Sequence, residues 1–319
     1  SNNFGNTVIT GNTEIVAPEE GVAFDVYYGL SSAYYDGVNV TFDEKFTGTV
    51  NGKVEYGVNY AQENWQQKAQ LNIKNGTFNV DFTVAGTSSK DAGINVSGGE
   101  FIKDVNADFI ADDSLLYPAD NGTYSVGKYE EVIEKALESE KVAVIFGNKA
   151  YESDEDAVKA GVVAKIGKTG YATLQEAVDS ITSTEQTEIV LLDDVELAAS
   201  VRIPSNKNIV LNLKEHNIKY AGTVIKFNWY IANNTLTIKG NGIIENTAES
   251  GSIIDASAVN IAPVIEIMGG TFRLGSSNSL IILPDTLYGI KINIYNGTFE
   301  NGVLNGPAGQ FGDPSCGLY

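Results

Sequence analysis

The sequence has one cysteine, Cys316, and one histidine, His216, among 319 residues. A single cysteine excludes an internal disulfide framework and any cysteine-rich zinc site. A single histidine allows a Ser-His-Asp, Cys-His or multi-histidine metal site to be built at most once, around His216. Low cysteine together with 33 glycines and abundant asparagine, threonine and tyrosine is typical of an extracellular β-rich protein.

Basic residues are also few, since 21 Lys and Arg stand against 41 Asp and Glu, for a formal net charge of −20. This balance excludes nucleic acid as a partner, because phosphate binding requires clustered Lys and Arg. It also disfavours direct contact with an anionic membrane surface. The longest apolar runs, such as residues 142–146 and 189–192, are too short to span a bilayer. The 43% of hydrophobic residues still supply a sizeable core, for one large or two ordinary domains.

The two ends of the sequence carry no targeting signal. Residues 1–5 lack the basic and apolar segments of a signal peptide, and residues 314–319 carry no anchor. We therefore expect the chain to be a segment of a longer protein.

Internal repeats are the strongest pattern in the sequence. Each copy has two apolar residues two positions apart, then a turn of small residues, and then a phenylalanine or another apolar residue. Alternation at period two places the apolar side chains on one face, and Asn-Gly or Gly-Gly supplies a turn with positive φ. Four copies fit closely and two loosely; in chain order they occupy residues 71–78, 94–101, 211–218, 236–243, 265–272 and 292–299.

The spacing of the copies predicts a parallel β-helix. The first apolar position of each copy falls at 71 and 94 in the early pair, and at 211, 236, 265 and 292 in the later group. Steps of this size fit one coil of two or three short strands. An antiparallel sandwich would instead need hairpin turns at intervals of about 10 residues. Propeller blades need a period of about 40 or more, and the signature of leucine-rich repeats is absent. The predicted fold class is therefore an all-β solenoid.

Between the two groups of repeats the pattern becomes helical. Residues 129–140 and 154–159 are predicted helices, and residues 142–146 form a buried strand. Thr173 with Glu176 three residues later is a capping box that begins another helix, and such a helix can cover the open end of a solenoid. We predict three parts: residues 1–126 as a first β-helix module, 127–161 as a short α/β junction, and 162–319 as a capping helix with the first coils of a second module.

Several segments resemble a module of large Gram-positive bacterial surface proteins. The family's helix Tyr-x-Thr-Leu-x-Glu-Ala is matched at 171–177, its strand Val-Leu-Leu-x-Asp-Val at 190–195, and its Leu-Thr-Ile-x-Gly-x-Gly-x-Ile at 236–244. Its strand and turn Leu-Asp-Leu-Asn-Gly-His-x-Ile is matched at 211–218, except that Lys214-Glu215 replaces Asn-Gly. The closing part of the module is matched at residues 98–101, 108–112 and 121–126.

This resemblance covers most of the chain and implies a right-handed, pectin-lyase-like parallel β-helix. It implies the C-terminal part of one module joined to the first coils of the next, with a different turn at Lys214-Glu215. It also implies an extracellular location on a bacterial cell surface. Modules of this family are treated as stalks or adhesins, so the resemblance favours a structural or adhesive role.

The β-helix fold also hosts polysaccharide lyases and glycoside hydrolases, so an enzyme is the alternative. Glycoside hydrolysis needs two carboxylates facing one cleft, whereas the adjacent Asp193 and Asp194 would point to opposite faces of a strand. A lyase would need an acidic calcium site and a base, and Asp255 and Lys291 are not aligned one coil apart. His216 is expected to order the backbone of its turn. We predict no catalytic residue and no metal ligand.

Exposed aromatic residues are the leading candidates for a binding site. Tyrosine and tryptophan stack on sugar rings and also anchor protein interfaces. Aromatic residues crowd one stretch of the first module, which includes Tyr27, Tyr28 and Tyr56, and interrupt the second. The alternative is that such rings cover lateral loops or pack between coils. The predicted ligand-binding residues are Tyr34, Tyr35, Tyr60, Trp65, Trp229 and Tyr230.

The function predicted from the sequence is a non-enzymatic segment of an extracellular surface protein, acting as a stalk or adhesin. Its expected partners are glycans, host or cell-surface proteins, and the neighbouring modules of its own chain. No cofactor is predicted, and Ca²⁺ held by turn Asp and Asn residues would be incidental. The alternative function is a polysaccharide lyase or glycoside hydrolase on a β-helix fold.

Overall fold

The computed structural model describes residues 5–18, 21–28, 37–58, 68–228, 234–259, 261, 263–275, 279–283 and 291–301. It divides the chain into two compact units, residues 1–153 and 154–319. In each unit short strands stack in parallel to form a β-solenoid with few helices. The fold class expected from the repeats is therefore confirmed, while the module limits at residues 126 and 161 stay a prediction.

The first unit stacks its coils into two parallel sheets. One sheet has the order β1-β4-β6-β8, and the other carries β2 and β3 beside β5, followed by β7 and β9. Beyond β9 the pairing becomes antiparallel, from β9 to β11 and from β11 to β10. The elements are β1 (Gly5–Ile9), β2 (Glu14–Val16), β3 (Val22–Tyr28), β4 (Val38–Phe42), β5 (Thr49–Val58), β6 (Ala69–Ile73), β7 (Thr77–Ala85), β8 (Ile94–Val96), β9 (Gly99–Phe101), a 3₁₀ turn (Ala107–Phe109), β10 (Ser114–Pro118), β11 (Tyr124–Lys128), α1 (Tyr129–Glu138), β12 (Val144–Phe146) and β13 (Lys149–Tyr151).

The core of the first unit consists of residues that face inward at the same position of successive coils. Phe42, Ile73 and Val96 form one such row, because their strands pair in register. Stacking like on like buries each apolar side chain against its counterpart one coil away. Fully buried phenylalanines meet in this core with ring centroids 5.0 to 6.0 Å apart: Phe42, Phe46, Phe78 and Phe101.

The second unit has a three-sided coil, since each of its first four coils contributes one strand to each of three parallel sheets, and the described part of the fifth contributes β28 and β29. These sheets have the orders β16-β19-β22-β25-β28, β17-β20-β23-β26-β29 and β18-β21-β24-β27. The elements are α2 (Asp154–Lys159), β14 (Ala164–Ile166), β15 (Thr169–Tyr171), α3 (Leu174–Ser180), β16 (Gln186–Leu191), β17 (Val195–Glu196), β18 (Val201–Ile203), β19 (Asn208–Asn212), β20 (Ile218–Tyr220), β21 (Ile225–Phe227), β22 (Thr235–Lys239), β23 (Ile243–Asn246), β24 (Ile254–Asp255), β25 (Val264–Ile267), β26 (Thr271–Leu274), β27 (Ile281–Ile282), β28 (Lys291–Ile294) and β29 (Thr298–Glu300).

The predicted capping box is present at the start of α3. Thr173 Oγ1 accepts a hydrogen bond from the Glu176 backbone N–H at 3.1 Å, and Glu176 Oε2 accepts one from the Thr173 N–H at 3.0 Å. The buried side chains of Leu174 and Val178 join the core of the second unit. The helix therefore covers the first coil of this unit, as its apolar face predicted.

The turn after β19 shows how the chain departs from the Asn-Gly pattern of the repeats. Lys214 takes the left-handed backbone conformation, with φ at +49°. Asn212 Oδ1 accepts a hydrogen bond from the Lys214 N–H at 3.0 Å and holds the turn. One coil later, a Cβ atom on Gly242 would lie 1.8 Å from the carbonyl oxygen of His216. Only glycine lets the two coils approach this closely.

Candidate functional site

A groove of about 340 Å³ runs along strands β17, β20, β23 and β26 of the sheet β17-β20-β23-β26-β29 in the second unit. The strands that form it are the short segments that follow the small-residue turns of the repeats. The groove is lined by Asp194, Val195, Glu196, Asn217, Ile218, Lys219, Ile243, Glu245 and Arg273. Charged and amide side chains therefore supply about half of the groove's surface, and apolar atoms supply the rest.

The outward side chains of this sheet alternate in charge from coil to coil. Strand register places Glu196 opposite Lys219, Lys219 opposite Glu245, Glu245 opposite Arg273, and Arg273 opposite Glu300. We call these five residues the charge ladder. Its members are one strand spacing apart, about 4.8 Å, so Lys219, Glu245 and Arg273 each lie between two opposite charges, and Glu196 and Glu300 lie at the ends.

Arg273 makes the strongest contacts of the charge ladder. Its Nε lies 2.6 Å from Glu300 Oε2, and its Nη1 lies 3.7 Å from Glu245 Oε1. The hydrogen bond to Glu300, followed by the charges of Glu300 and Glu245, raises the pKa of the Arg273 guanidinium. Lys219, by contrast, has no carboxylate within 4.0 Å in the described part of the chain. It is therefore the cation of the ladder that is available to a ligand.

Asp194 and Asn217 form the rim of the groove. Asp194 Oδ1 accepts a hydrogen bond from the Asn217 backbone N–H at 2.7 Å, and its Oδ2 accepts one from Asn217 Nδ2 at 3.2 Å. Asn217 Oδ1 in turn accepts from the Ile243 N–H at 2.9 Å, one coil further on. His216 Nδ1 lies 3.9 Å from Asp194 Oδ1. The chain's one histidine therefore stands beside a carboxylate whose two oxygens are already used to connect coils.

The charge ladder gives a first prediction. Arg273→Ala is expected to lower the free energy of unfolding slightly at low salt, because it removes two surface ion pairs, to Glu245 and to Glu300. The difference should shrink in about 1 M salt, where the Debye length is only about 3 Å. Urea denaturation of the wild-type chain and the variant at two salt concentrations measures this difference in the free energy of unfolding. Lys219→Ala is the matched control, and we expect it to have little effect on stability. An equal loss of stability in both variants would contradict the conclusion that Arg273 makes the strongest contacts of the charge ladder.

The predicted aromatic site falls where the structure gives no description. Tyr34, Tyr35, Tyr60, Trp65, Trp229 and Tyr230 all lie outside the described residues, so that hypothesis stays a prediction.

Three tyrosines of the same crowded stretch are described. Tyr28 and Tyr56 are buried, whereas Tyr27 is exposed. Tyr56 packs between coils: its hydroxyl donates to the Ala69 carbonyl and accepts from the Gly93 N–H, both at 2.9 Å. Burial raises the pKa of this phenol. Tyr56 therefore packs between coils and connects them. This is the alternative to ligand binding that the sequence left open for the aromatic residues.

The other acidic candidates are dispersed. Asp193 Oδ1 accepts a hydrogen bond from the Asp194 N–H at 2.8 Å within their own turn. Asp255 Oδ1 similarly accepts from the Ser257 N–H at 2.9 Å, on a different sheet. Within the described residues, no three Asp, Glu, His or Cys side chains group as a metal site requires. No helix in that part of the chain has the length and apolar character needed to cross a membrane.

Sequence reasoning missed the charge ladder, although a signal for it exists. In four of the repeats, the ladder residue comes directly after the inward apolar residue of the second strand. The pairs are Ile218-Lys219, Ile244-Glu245, Phe272-Arg273 and Phe299-Glu300. Aligning the repeats on that second strand, rather than on the first, would have predicted the alternating charges.

Comparison with protein-family models, curated proteins and solved structures gives no significant match to this chain. The resemblance to bacterial surface modules therefore rests on the sequence motifs alone, and the β-solenoid rests on the structure.

Proposed function

We propose that this chain is a non-enzymatic segment of an extracellular bacterial surface protein, in which the solenoids act as a stalk and the lateral groove of the second unit binds glycans. The sequence motifs support the surface origin. The observation that carries the proposal is that polar side chains on the outer faces connect one coil to the next.

These connections occur in both units. Each surface pair contributes little by itself, but a series of pairs between neighbouring coils opposes their separation along the whole solenoid. In the first unit they join Asn72 to Asn39, Lys74 to Glu44, and Lys103 to Asp81; in the second they join Asn212 and Lys239 to Glu188, Asn217 to Asp194, and Arg273 to Glu245 and Glu300.

Glu188 illustrates how these contacts favour a stiff support over catalysis. It accepts a hydrogen bond from Asn212 Nδ2 at 2.7 Å and lies 3.0 Å from Lys239 Nζ, so it connects three coils. The Lys239 contact, followed by that of Asn212, outweighs desolvation and lowers the pKa of the Glu188 carboxyl. A carboxylate held ionised by two partners is a fixed structural charge.

The groove supplies the adhesive part of the proposal. A sugar chain offers hydroxyl groups, which hydrogen-bond to carboxylates and amides, and acidic sugars add carboxylates. Glu196, Glu245 and Asn217 can accept or donate such bonds, and Lys219 can pair with an acidic group. The carboxylates of Asp194, Glu196 and Glu245 disfavour highly charged glycans. We therefore expect the tightest binding from hydroxyl-rich glycans that carry a single acidic group to pair with Lys219.

A glycan array with the whole chain tests this function. We expect binding to uronic-acid or sialylated glycans, weakened about five- to tenfold by Lys219→Ala because one charge-assisted hydrogen bond is lost. Thr298→Ala, at an exposed position on the same sheet outside the groove, is the control that should bind normally. Binding that is equal in both variants, or absent from every glycan tested, would refute the adhesive role and leave the stalk alone.

A carbohydrate-active enzyme is the second candidate, and one observation favours it. Glu196 and Glu245 lie on the same sheet with Lys219 between them. Two strand spacings put their backbones about 9.6 Å apart, so carboxyl groups that lean toward each other would reach the separation in inverting glycosidases, about 6.5 to 9.5 Å. Incubation with the bound glycan decides the matter. Release of reducing ends or unsaturated uronides, lost in Glu245→Gln, would replace the stalk proposal by the enzyme.

A further inference from the structure

In the first unit β7 runs past its partner on one side. All of β7, Thr77–Ala85, pairs in parallel with Thr49–Gly57 of β5. On the opposite side only Thr77 and Phe78 pair, with Glu100 and Phe101 of β9. The remainder of β7 is therefore an open strand edge within the described residues.

The hydrogen-bond pattern identifies which groups face that open edge. In a parallel pair, alternate residues direct both backbone groups to the same neighbour. Thr77 donates its N–H to Gly48 on the β5 side, whereas Phe78 accepts from Ile102 on the β9 side. The N–H and C=O groups of alternate residues after Phe78 must therefore point to the open side. These residues are Val80, Phe82 and Val84, and none of their outward backbone groups has a partner in the described structure.

A cavity of about 370 Å³ lies beside this edge. Apolar side chains from β7 and the ring of Phe109 form one part of its lining; Phe82 and Phe109 have ring centroids 5.5 Å apart. Polar side chains form the other part, among them the carboxylates of Asp81 and Asp104. Each of these carboxylates lies 2.6 Å from a lysine, Asp81 from Lys103 and Asp104 from Lys149. The cavity thus offers apolar surface and ion-paired carboxylates next to unpaired backbone donors and acceptors.

We propose that the open edge of β7, residues 80–84, binds an extended segment of another protein that adds to the sheet as a strand. Backbone hydrogen bonds supply the affinity in this mode, and alternate side chains supply the specificity. Side chains that follow Val80, Phe82 and Val84 on the inner face would be apolar, to cover Phe109. Those on the outer face would be basic: Oδ2 of the exposed Asp81 is bound by Lys103 at 2.6 Å, and its Oδ1, with no hydrogen-bond partner in the described structure, can accept a hydrogen bond from a second cation.

The negative charge around this edge favours a basic strand of another protein over a second copy of the chain. Residues 77–109 contain five carboxylates and two lysines, and the whole chain has a net charge of −20. Edge-to-edge pairing of two copies would bring these carboxylates together, which is unfavourable. The same carboxylates would attract a basic strand from another protein. The inference does not depend on whether the groove of the second unit binds glycans.

The test uses the synthetic peptide acetyl-Val-Lys-Val-Lys-Val-amide and isothermal titration calorimetry with the whole chain. Val84→Pro removes one outward N–H from the edge and leaves the bonds to β5 intact, since proline is tolerated where the N–H faces outward. Val84→Ala is the matched variant that keeps the N–H. We expect the proline variant to bind the peptide about fivefold more weakly than the alanine variant, the effect of one net hydrogen bond.

Two further measurements separate backbone pairing and charge from nonspecific attraction. In a parallel pair the N–H groups that face β7 come from residues next to the register partners, as Ile102 does beside Phe101. A peptide N-methylated at both lysines should therefore lose binding to the wild-type chain. The peptide with Glu in place of Lys should bind at least about tenfold more weakly, and Asp81→Asn should narrow that difference. Circular dichroism confirms that each variant is folded. The proposal is overturned if the lysine peptide does not bind at about 1 mM, if proline and alanine variants bind equally, or if sedimentation shows a wild-type dimer that Val84→Pro dissociates.

Discussion

Phe78→Ala is expected to lower the free energy of unfolding of the first unit by about 3 to 5 kcal/mol, the range for large cavities in a core. Phe78 is fully buried, stacks on Phe101 at 5.1 Å and meets Phe42 edge-on at 5.2 Å. Truncation leaves a void that parallel strands paired in register on both sides of β7 cannot close. Urea denaturation followed by circular dichroism measures the loss.

The control for this prediction is the next residue of the same strand. The Asn79 side chain is exposed on the outer face, so Asn79→Ala should change the stability by no more than about 0.5 kcal/mol. If Phe78→Ala cost as little as Asn79→Ala, the row of stacked phenylalanines would not be the core of this unit.

Asn246→Ala is expected to lower the free energy of unfolding by about 3 kcal/mol or more. Asn246 is buried in the second unit, where its Oδ1 accepts hydrogen bonds from the N–H groups of Gly222 at 3.0 Å and Ala248 at 2.9 Å. Its Nδ2 donates to the Ser250 carbonyl at 3.1 Å. The alanine variant removes the acceptor of the partly buried Gly222 and Ala248 N–H groups and the donor to the exposed Ser250 carbonyl, and each lost hydrogen bond costs about 1 kcal/mol.

Hydrogen exchange distinguishes this cause from a general loss of packing. The amides of Gly222 and Ala248 should exchange much faster in Asn246→Ala, because they lose their acceptor. Thr247→Ala changes an exposed neighbour and is expected to leave both amides protected. Unchanged exchange at Gly222 in the Asn246 variant would show that the side chain does not hold these turns.

The fold could be predicted because its information is local and repeated. The alternation in Leu71–Ile73 and Ile265–Ile267, each followed by a small-residue turn, fixes both which side chains face inward and where the chain bends. The capping box at Thr173 is equally local, since its two hydrogen bonds join residues three apart. Such patterns need no knowledge of distant contacts.

The charge ladder was harder to predict from the sequence, because the number of residues between its members varies from coil to coil. The step from Glu245 to Arg273 is two positions longer than the step from Lys219 to Glu245, so loop lengths decide which charges meet. The open edge of β7 could not be predicted from the sequence for a similar reason. It exists because β9 ends at Phe101 while β7 continues to Ala85, and strand ends are set by tertiary pairing rather than by local propensity.

The stacking of the coils gives the second unit a defined response to force. Leu211, Ile238, Ile267 and Ile294 occupy one row of paired positions in the four coils that begin with β19, β22, β25 and β28. Their numbers show that these successive coils differ in length by only two positions, whereas the step from Ile189 of β16 to Leu211 is shorter. A pull that peels coils from the stack would break one parallel strand pair in each sheet at a time. Each event would lengthen the chain by about 90 to 100 Å, at about 3.3 to 3.6 Å per residue. Under load, such a segment would unfold one coil at a time, and the gain in length would be nearly equal at each step.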